Sequence, residues 1–176
     1  MNDRQSELDG RRGGWSRVRI LLVGRNVRRT LLRTLLWAGL AVVLAGLLFR
    51  PIWTDGLSMA PTVNDDALRF ANLLAYRYRA PRRGEIVVIR GPGGRLLYLK
   101  RILALPGETV AFADGQLRIN AAPMPEPYVR LRGGWNMDPI TLDADAYFVA
   151  GDNRGSPLGD HVAGVVRRRR LAGALW

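Results

Sequence analysis

The chain has 176 residues, with 27 Lys or Arg against 15 Asp or Glu, a formal charge of +12, one histidine and no cysteine. That length holds one modest domain plus an appendage. The composition excludes thiol nucleophiles, disulfides, cysteine zinc sites and histidine metal clusters, so no metal and no cofactor is expected. Residues 1–33 carry nine arginines against Asp3, Glu7 and Asp9, which is +6 of the +12. The excess is thus concentrated in a tail, and no nucleic-acid partner is expected.

The tail runs directly into the apolar stretch "TLLWAGLAVVLAGLLF", residues 34–49. Sixteen helical residues rise about 24 Å, slightly less than a hydrocarbon core of about 30 Å. Extension through "RPIW" to Trp53, or a start near Thr30, closes the gap. Arg33 and Arg50 can then snorkel, and Trp37 and Trp53 can sit at the interfaces. One transmembrane helix is expected over 34–53. The positive-inside rule makes 1–33 a basic cytoplasmic tail and sends 54–176 across the membrane. A buried core helix is disfavoured because the run has no polar face. A cleaved signal peptide is disfavoured because the basic region is long and no small-x-small site follows the run.

From residue 54 onward, short apolar runs separated by Gly, Pro and Asp predict a mainly β domain. "GEIVVIR" (84–90) and "RLLYLKRIL" (95–103) read as the strands of a hairpin turning at "GPGG" (91–94). In "ETVAFADGQLRIN" (108–120), Asp114-Gly115 between two alternating runs predicts a second hairpin. "AAPMPEPYVRLRGGWNMDP" (121–139), rich in Pro and Gly, reads as a surface loop. "AYFVAGDN" (146–153) reads as a strand entering a tight turn, in which Asp152 is expected to stabilise the turn through its side chain. "RRRR" (167–170) reads as a solvated edge or helix face rather than a nucleic-acid or lipid patch. Trp176 either touches the bilayer or caps the core.

Lys100, within "RLLYLKRILALPGE", is the only lysine beside 26 arginines. As solvated charge the two residue types serve alike, but only lysine can lose its proton inside a protein. On a strand Lys100 shares its face with Leu96, Tyr98 and Ile102, while Leu97, Leu99 and Leu103 on the other face are also apolar. Desolvation there lowers an amine pKa toward neutrality. A neutral amine can take the proton of a hydroxyl, which is otherwise a poor nucleophile. Two of the four serines, Ser6 and Ser16, fall in the tail. Ser58 lies in "DGLSMAPT" (55–62), where Gly56 permits an unusual backbone and Pro61 fixes the following turn. The hydroxyl is thereby presented beside backbone amides that can serve as an oxyanion hole. Ser58 and Lys100 are the candidate nucleophile and base.

With these residues the chain resembles the type I signal peptidase family, membrane-anchored serine proteases with a Ser/Lys dyad. Five blocks carry the resemblance in the family's order over 54–176: "DGLSMAPT", "PRRGEIVVIR", "YLKRILALPGE", "YFVAGDNR" and "GVVRRRRLAGAL". The resemblance implies Ser58 as nucleophile, Lys100 as general base and an acyl-enzyme. It also implies a Ser58 amide in the oxyanion hole, Gly56 where some members carry a hydroxyl donor, and Met59 shaping the substrate cleft. The implied fold is an antiparallel β-sheet or partly open barrel with a small β subdomain inserted at about 107–140. The implied partners are the lipid bilayer of the cell membrane, crossed once, and exported preproteins. These would be cut after small residues at the first and third positions before the scissile bond.

After "GDNR" the family usually places a serine, an acid and an arginine that brace the lysine. Here "GSPLGDHVAG" puts Pro157, Gly159 and His161 at those positions. Ser156 and Asp160, each displaced by one residue, are with Asp152 the candidate supports of Lys100, and His161 reads as a surface histidine. The departure leaves open a narrow-specificity processing peptidase and a weakly active protein that binds signal peptides. Self-cleaving repressors share the Ser/Lys chemistry but are soluble and carry a DNA-binding domain. A cationic membrane-bound adaptor would explain the arginines, but neither the single lysine nor "SMAPT".

Overall fold

The computed structural model describes residues 26–91, 97–160 and 164–176. The chain divides into two compact units, Met1–Leu47 and Leu48–Trp176. In the first lies helix α1 (Val27–Leu48), 22 residues long. Its stretch Val27–Gly46 is long and apolar enough to cross a membrane, and none of it is buried. The helix is displaced from the expected span of 34–53. It gains its length on the arginine side, where Arg28, Arg29 and Arg33 are good helix formers, and it stops at Leu48. Residues 49–53 are instead strand β1 (Phe49–Trp53). Pro51 explains the stop, since it lacks an N–H and pushes Arg50 toward extended backbone.

The second unit is built on two antiparallel sheets. The larger comprises β1, β2 (Leu68–Asn72), β3 (Ile86–Arg90), β4 (Leu97–Ala104), β9 (Ala146–Ala150), β10 (Gly164–Arg167) and β11 (Leu171–Leu175), in the order β1-β2-β11-β3-β4-β9-β10. Its two ends do not pair with each other, so the barrel stays open. The smaller comprises β5 (Thr109–Ala113), β6 (Gln116–Ile119), β7 (Ala122–Pro123) and β8 (Met137–Thr141), in the order β7-β6-β5-β8. It occupies the stretch where an inserted subdomain is expected. A one-turn helix, α2 (Ala75–Tyr78), links β2 to β3.

Local turn chemistry explains the hairpins. Asp114 and Gly115 both take positive φ, 49° and 75°, between the paired Ala113 and Gln116, as a two-residue turn of this hand requires. Strands β3 and β4 pair with Val87 opposite Lys100 and Ile86 opposite Arg101. The remainder of their expected turn, 92–94, and the first two residues of the expected partner strand, 95 and 96, lie outside the described residues. One apolar cluster joins the two sheets. Phe112 of β5 packs edge-on against Trp135 at 5.3 Å and against Phe148 of β9 at 6.1 Å, among Leu103, Val110 and Leu117.

The segment 121–139 is more than a surface loop. It contains β7 and the start of β8, and it buries Glu126 and Trp135. The indole of Trp135 explains the anchoring, because it packs on Phe112 and donates to the Ser156 carbonyl at 2.8 Å. At the far edge of the large sheet, pairing puts Pro51 opposite Phe70 and Trp53 opposite Leu68. Trp176 follows β11 on that same face, its N–H bonded to the Phe70 carbonyl and its ring 5.9 Å from Phe49. Trp176 is 76% exposed, so it caps no core. The face is an exposed apolar stripe. The arginine run ends β10 at Arg167 and continues as a 3-10 turn, Arg168–Arg170, and its side chains engage the surface: Arg167 pairs with Asp145, and Arg170 donates to the Arg90 carbonyl.

Candidate active site

Ser58 sits in a 3-10 turn, Leu57–Met59, entered through Gly56 at φ 103° and ψ 154°. That backbone conformation is accessible essentially only to glycine. The Gly56 N–H donates to the Asp65 carboxylate at 2.7 Å, so this residue shapes the turn and its amide is already engaged. Met59 is buried beneath the turn and lines a hollow with Ile52, Val63, Leu97 and Leu99. The hollow is also lined by Gly56, at the entry of the turn, and by Tyr98 of β4.

The turn is held from across the unit by the residues after β9. The Asn153 N–H donates to the Ser58 carbonyl at 3.1 Å, and the Asn153 side-chain amide to the Leu57 carbonyl at 3.2 Å. Gly151 fits against the same carbonyl. A methyl group on its α-carbon would overlap the Ser58 carbonyl and stand 3.5 Å from Lys100 Nζ. Gly151 is therefore the point at which the Ser58 turn and the lysine amine converge, and its lack of a side chain permits the approach.

Lys100 is 3% exposed, among Val87, Ile102 and Tyr98. Burial lowers its pKa, opposed by the negative charge of Asp152. Among the described residues Lys100 forms no ion pair. Asp152, 0% exposed, is bound elsewhere: its carboxylate accepts from Arg101 Nε at 2.8 Å and Nη2 at 2.6 Å. This corrects its expected role as the turn-stabilising side chain. The i to i+2 bond of that turn comes from Asn153, whose Oδ1 accepts the Gly155 N–H at 3.0 Å. An isolated carboxylate at that depth is too costly to leave without a cation, so Asp152 faces Arg101.

Of the other expected supports of the lysine, only Ser156 has a described side chain. Ser156 is exposed and contributes its carbonyl to Trp135. The Asp160 side chain and His161 lie outside the described residues. The structure adds groups that no sequence pattern marked. Arg101 also donates to the Gly84 carbonyl at 2.6 Å and lies 4.1 Å over the Tyr128 ring. The Tyr128 hydroxyl donates to Glu126 at 2.9 Å. Burial and the Glu126 carboxylate push this phenol above its usual range, so it keeps its proton. Glu126 in turn pairs with Arg154, which is 2% exposed. The only signal available in the sequence was position, since Arg101 follows Lys100 and Arg154 closes "GDNR".

Ser58 on its glycine-entered turn and the buried Lys100 amine both come up to Gly151 within one antiparallel β unit. A family model described as "Signal peptidase, peptidase S26" matches residues 27–175. The chain belongs to this family and is a signal peptidase I-like serine peptidase. A signal peptidase I of Bacillus amyloliquefaciens is 34% identical over 145 residues, covering 76% of this chain and 77% of the relative. Signal peptidase I T of Bacillus subtilis is 33% identical over 147 residues, covering 76% and 75%. A solved signal peptidase I from Enterococcus faecalis, 26% identical, overlaps 56% of this chain and 98% of its own, with a TM-score of 0.45.

Proposed function

We propose that the protein removes signal peptides from exported preproteins, with Ser58 as nucleophile and neutral Lys100 as general base. The observation that carries this reading is the seat of Gly151 against both the Ser58 carbonyl and Lys100 Nζ. In this reading the Ser58 hydroxyl attacks the scissile carbonyl as its proton passes to Lys100 Nζ. The resulting ammonium donates that proton to the leaving amine, giving an acyl-enzyme. Water then attacks the ester with Lys100 again as base, restoring the Ser58 hydroxyl. Because the Gly56 amide is bound to Asp65, the oxyanion falls to the Ser58 amide and its neighbours. The hollow over Met59 and Leu99 receives the residues before the cut.

Helix α1 crosses the cell membrane once, with the arginine-rich side cytoplasmic, and the stripe of Phe70, Trp53 and Trp176 faces lipid. The test uses the full chain in detergent and a preprotein with an Ala-x-Ala site, comparing wild type with Ser58→Ala and Lys100→Arg. Both variants should lose cleavage, because guanidinium preserves the charge but cannot accept the proton. Unimpaired cleavage by Lys100→Arg would overturn the reading.

A further inference from the structure

We propose that Glu126 and Arg154 are positioning residues for the reaction, a buried ion pair through which the loop of the smaller sheet holds Gly151 in place against Ser58 and Lys100. The proposal rests on the Ser/Lys reading above. Arg154 and Glu126 side chains are 2% and 5% exposed, and the guanidinium forks the carboxylate at 2.5 and 3.3 Å. The remaining nitrogen, Arg154 Nε, donates to the Gly151 carbonyl at 2.7 Å. The guanidinium stands 5.0 Å from the Trp135 ring and 5.4 Å from Phe112.

Stability alone does not account for this arrangement. A buried pair roughly breaks even against well-packed apolar side chains of the same volume, and Phe112 and Trp135 already supply an apolar wall there. What an apolar pair cannot supply is a directional donor to a chosen carbonyl. That carbonyl belongs to the residue seated on the Ser58 carbonyl and Lys100 Nζ. The same loop grips the turn twice more, with Trp135 bound to the Ser156 carbonyl and Gly133 fitted against the Arg154 carbonyl. Glu126 is also tied through Tyr128 to Arg101, so the pair reaches the residue next to Lys100 as well. A displacement of Gly151 moves both reacting groups at once, and about 1 Å of misplacement can cost on the order of 100-fold in rate.

The test compares Glu126→Gln, Arg154→Met and the double variant, as full chains in detergent, for kcat, KM and thermal midpoint with the same preprotein. Each single variant should lower kcat at least tenfold with KM within twofold. The double variant leaves no charge without its partner and should recover the thermal midpoint lost by the singles. Its kcat should nevertheless stay low, because the Gly151 carbonyl still lacks its donor. A kcat that returns with the midpoint, or folded singles with wild-type kcat, would overturn the proposal. If the singles do not fold, the double variant decides. Ser58→Ala, run alongside, separates the two levels. Full cleavage by that variant removes the Ser/Lys reading itself, whereas its inactivity beside fully active pair variants removes only the role given to Glu126 and Arg154.

Discussion

Replacing Arg101 with methionine is the most informative perturbation outside the reacting groups, because it changes stability and pH dependence for separate reasons. The wild-type guanidinium makes two bonds to Asp152, at 2.8 and 2.6 Å, with the carboxylate wholly buried. Removing one partner of such a pair leaves an uncompensated charge and costs about 3–5 kcal/mol. For a unit of this size, at roughly 3–5 °C per kcal/mol, the thermal midpoint should fall by about 10–25 °C. Burial lowers the Lys100 pKa and Asp152 opposes that shift. Without Arg101 the opposition grows, so the pKa rises. The proposed base works in its neutral form, hence kcat/KM climbs with pH through that pKa. In Arg101→Met the climb should move to higher pH, while in Asp152→Asn, which deletes the opposing charge, it should move to lower pH. Melting followed by circular dichroism and initial rates of preprotein cleavage across pH measure the two effects. Climbs that stay fixed, or that shift in the same direction, would show that the Asp152 charge does not act on Lys100.

Lys100→Met should abolish cleavage and raise stability by about 1 kcal/mol, since an apolar chain suits the site between Val87 and Ile102 better than an amine; a chemical denaturation midpoint checks it. Gly151→Ala should cut kcat on the order of 100-fold in protein that remains folded, because the new methyl overlaps the Ser58 carbonyl and the turn must retreat. Phe112→Ala should cost about 3–5 kcal/mol, because the ring joins the two sheets through Trp135 and Phe148, and a urea titration reads this directly.

What was legible in the sequence was local. The Asp114-Gly115 turn and the alternating strands around it depend on backbone conformations that a few neighbouring residues dictate. The helix end was missed, because the expected span ran through Pro51 to Trp53 although proline stops the helix at Leu48, and hydropathy drew that span away from the arginines that extend it. Lys100 stood out only because the other 26 of the 27 Lys and Arg residues are arginine. The partners of Asp152 and Arg154 were not legible, since the pairs are separated by 51 and 28 residues. In so arginine-rich a chain, composition does not mark which guanidinium goes inside. Ser156 misled for a related reason. A one-residue displacement along a turn reverses where a side chain points, and here it leaves the hydroxyl outside and the carbonyl inward.

The distribution of buried charge gives the lone lysine its meaning. Three cations converge on the residues after β9, and a guanidinium cannot shed its proton at any pH at which the protein is folded. Arg101 accordingly faces Asp152, and Arg154 faces Glu126. Lys100, as deeply buried as either, has no carboxylate bonded to it among the described residues, and it needs none if it is neutral. Pairing the permanent cations and leaving the titratable one alone keeps the nearest acid occupied. Exchanging Arg101 for lysine would undo the distinction, because a point charge on a flexible stem cannot fork Asp152 and stack on Tyr128 together. Arg101→Lys should therefore retain the ion pair but lose part of the fork. It should shift the rise of kcat/KM in the same direction as Arg101→Met and by less, a graded response expected only if Asp152 acts on Lys100 through its charge.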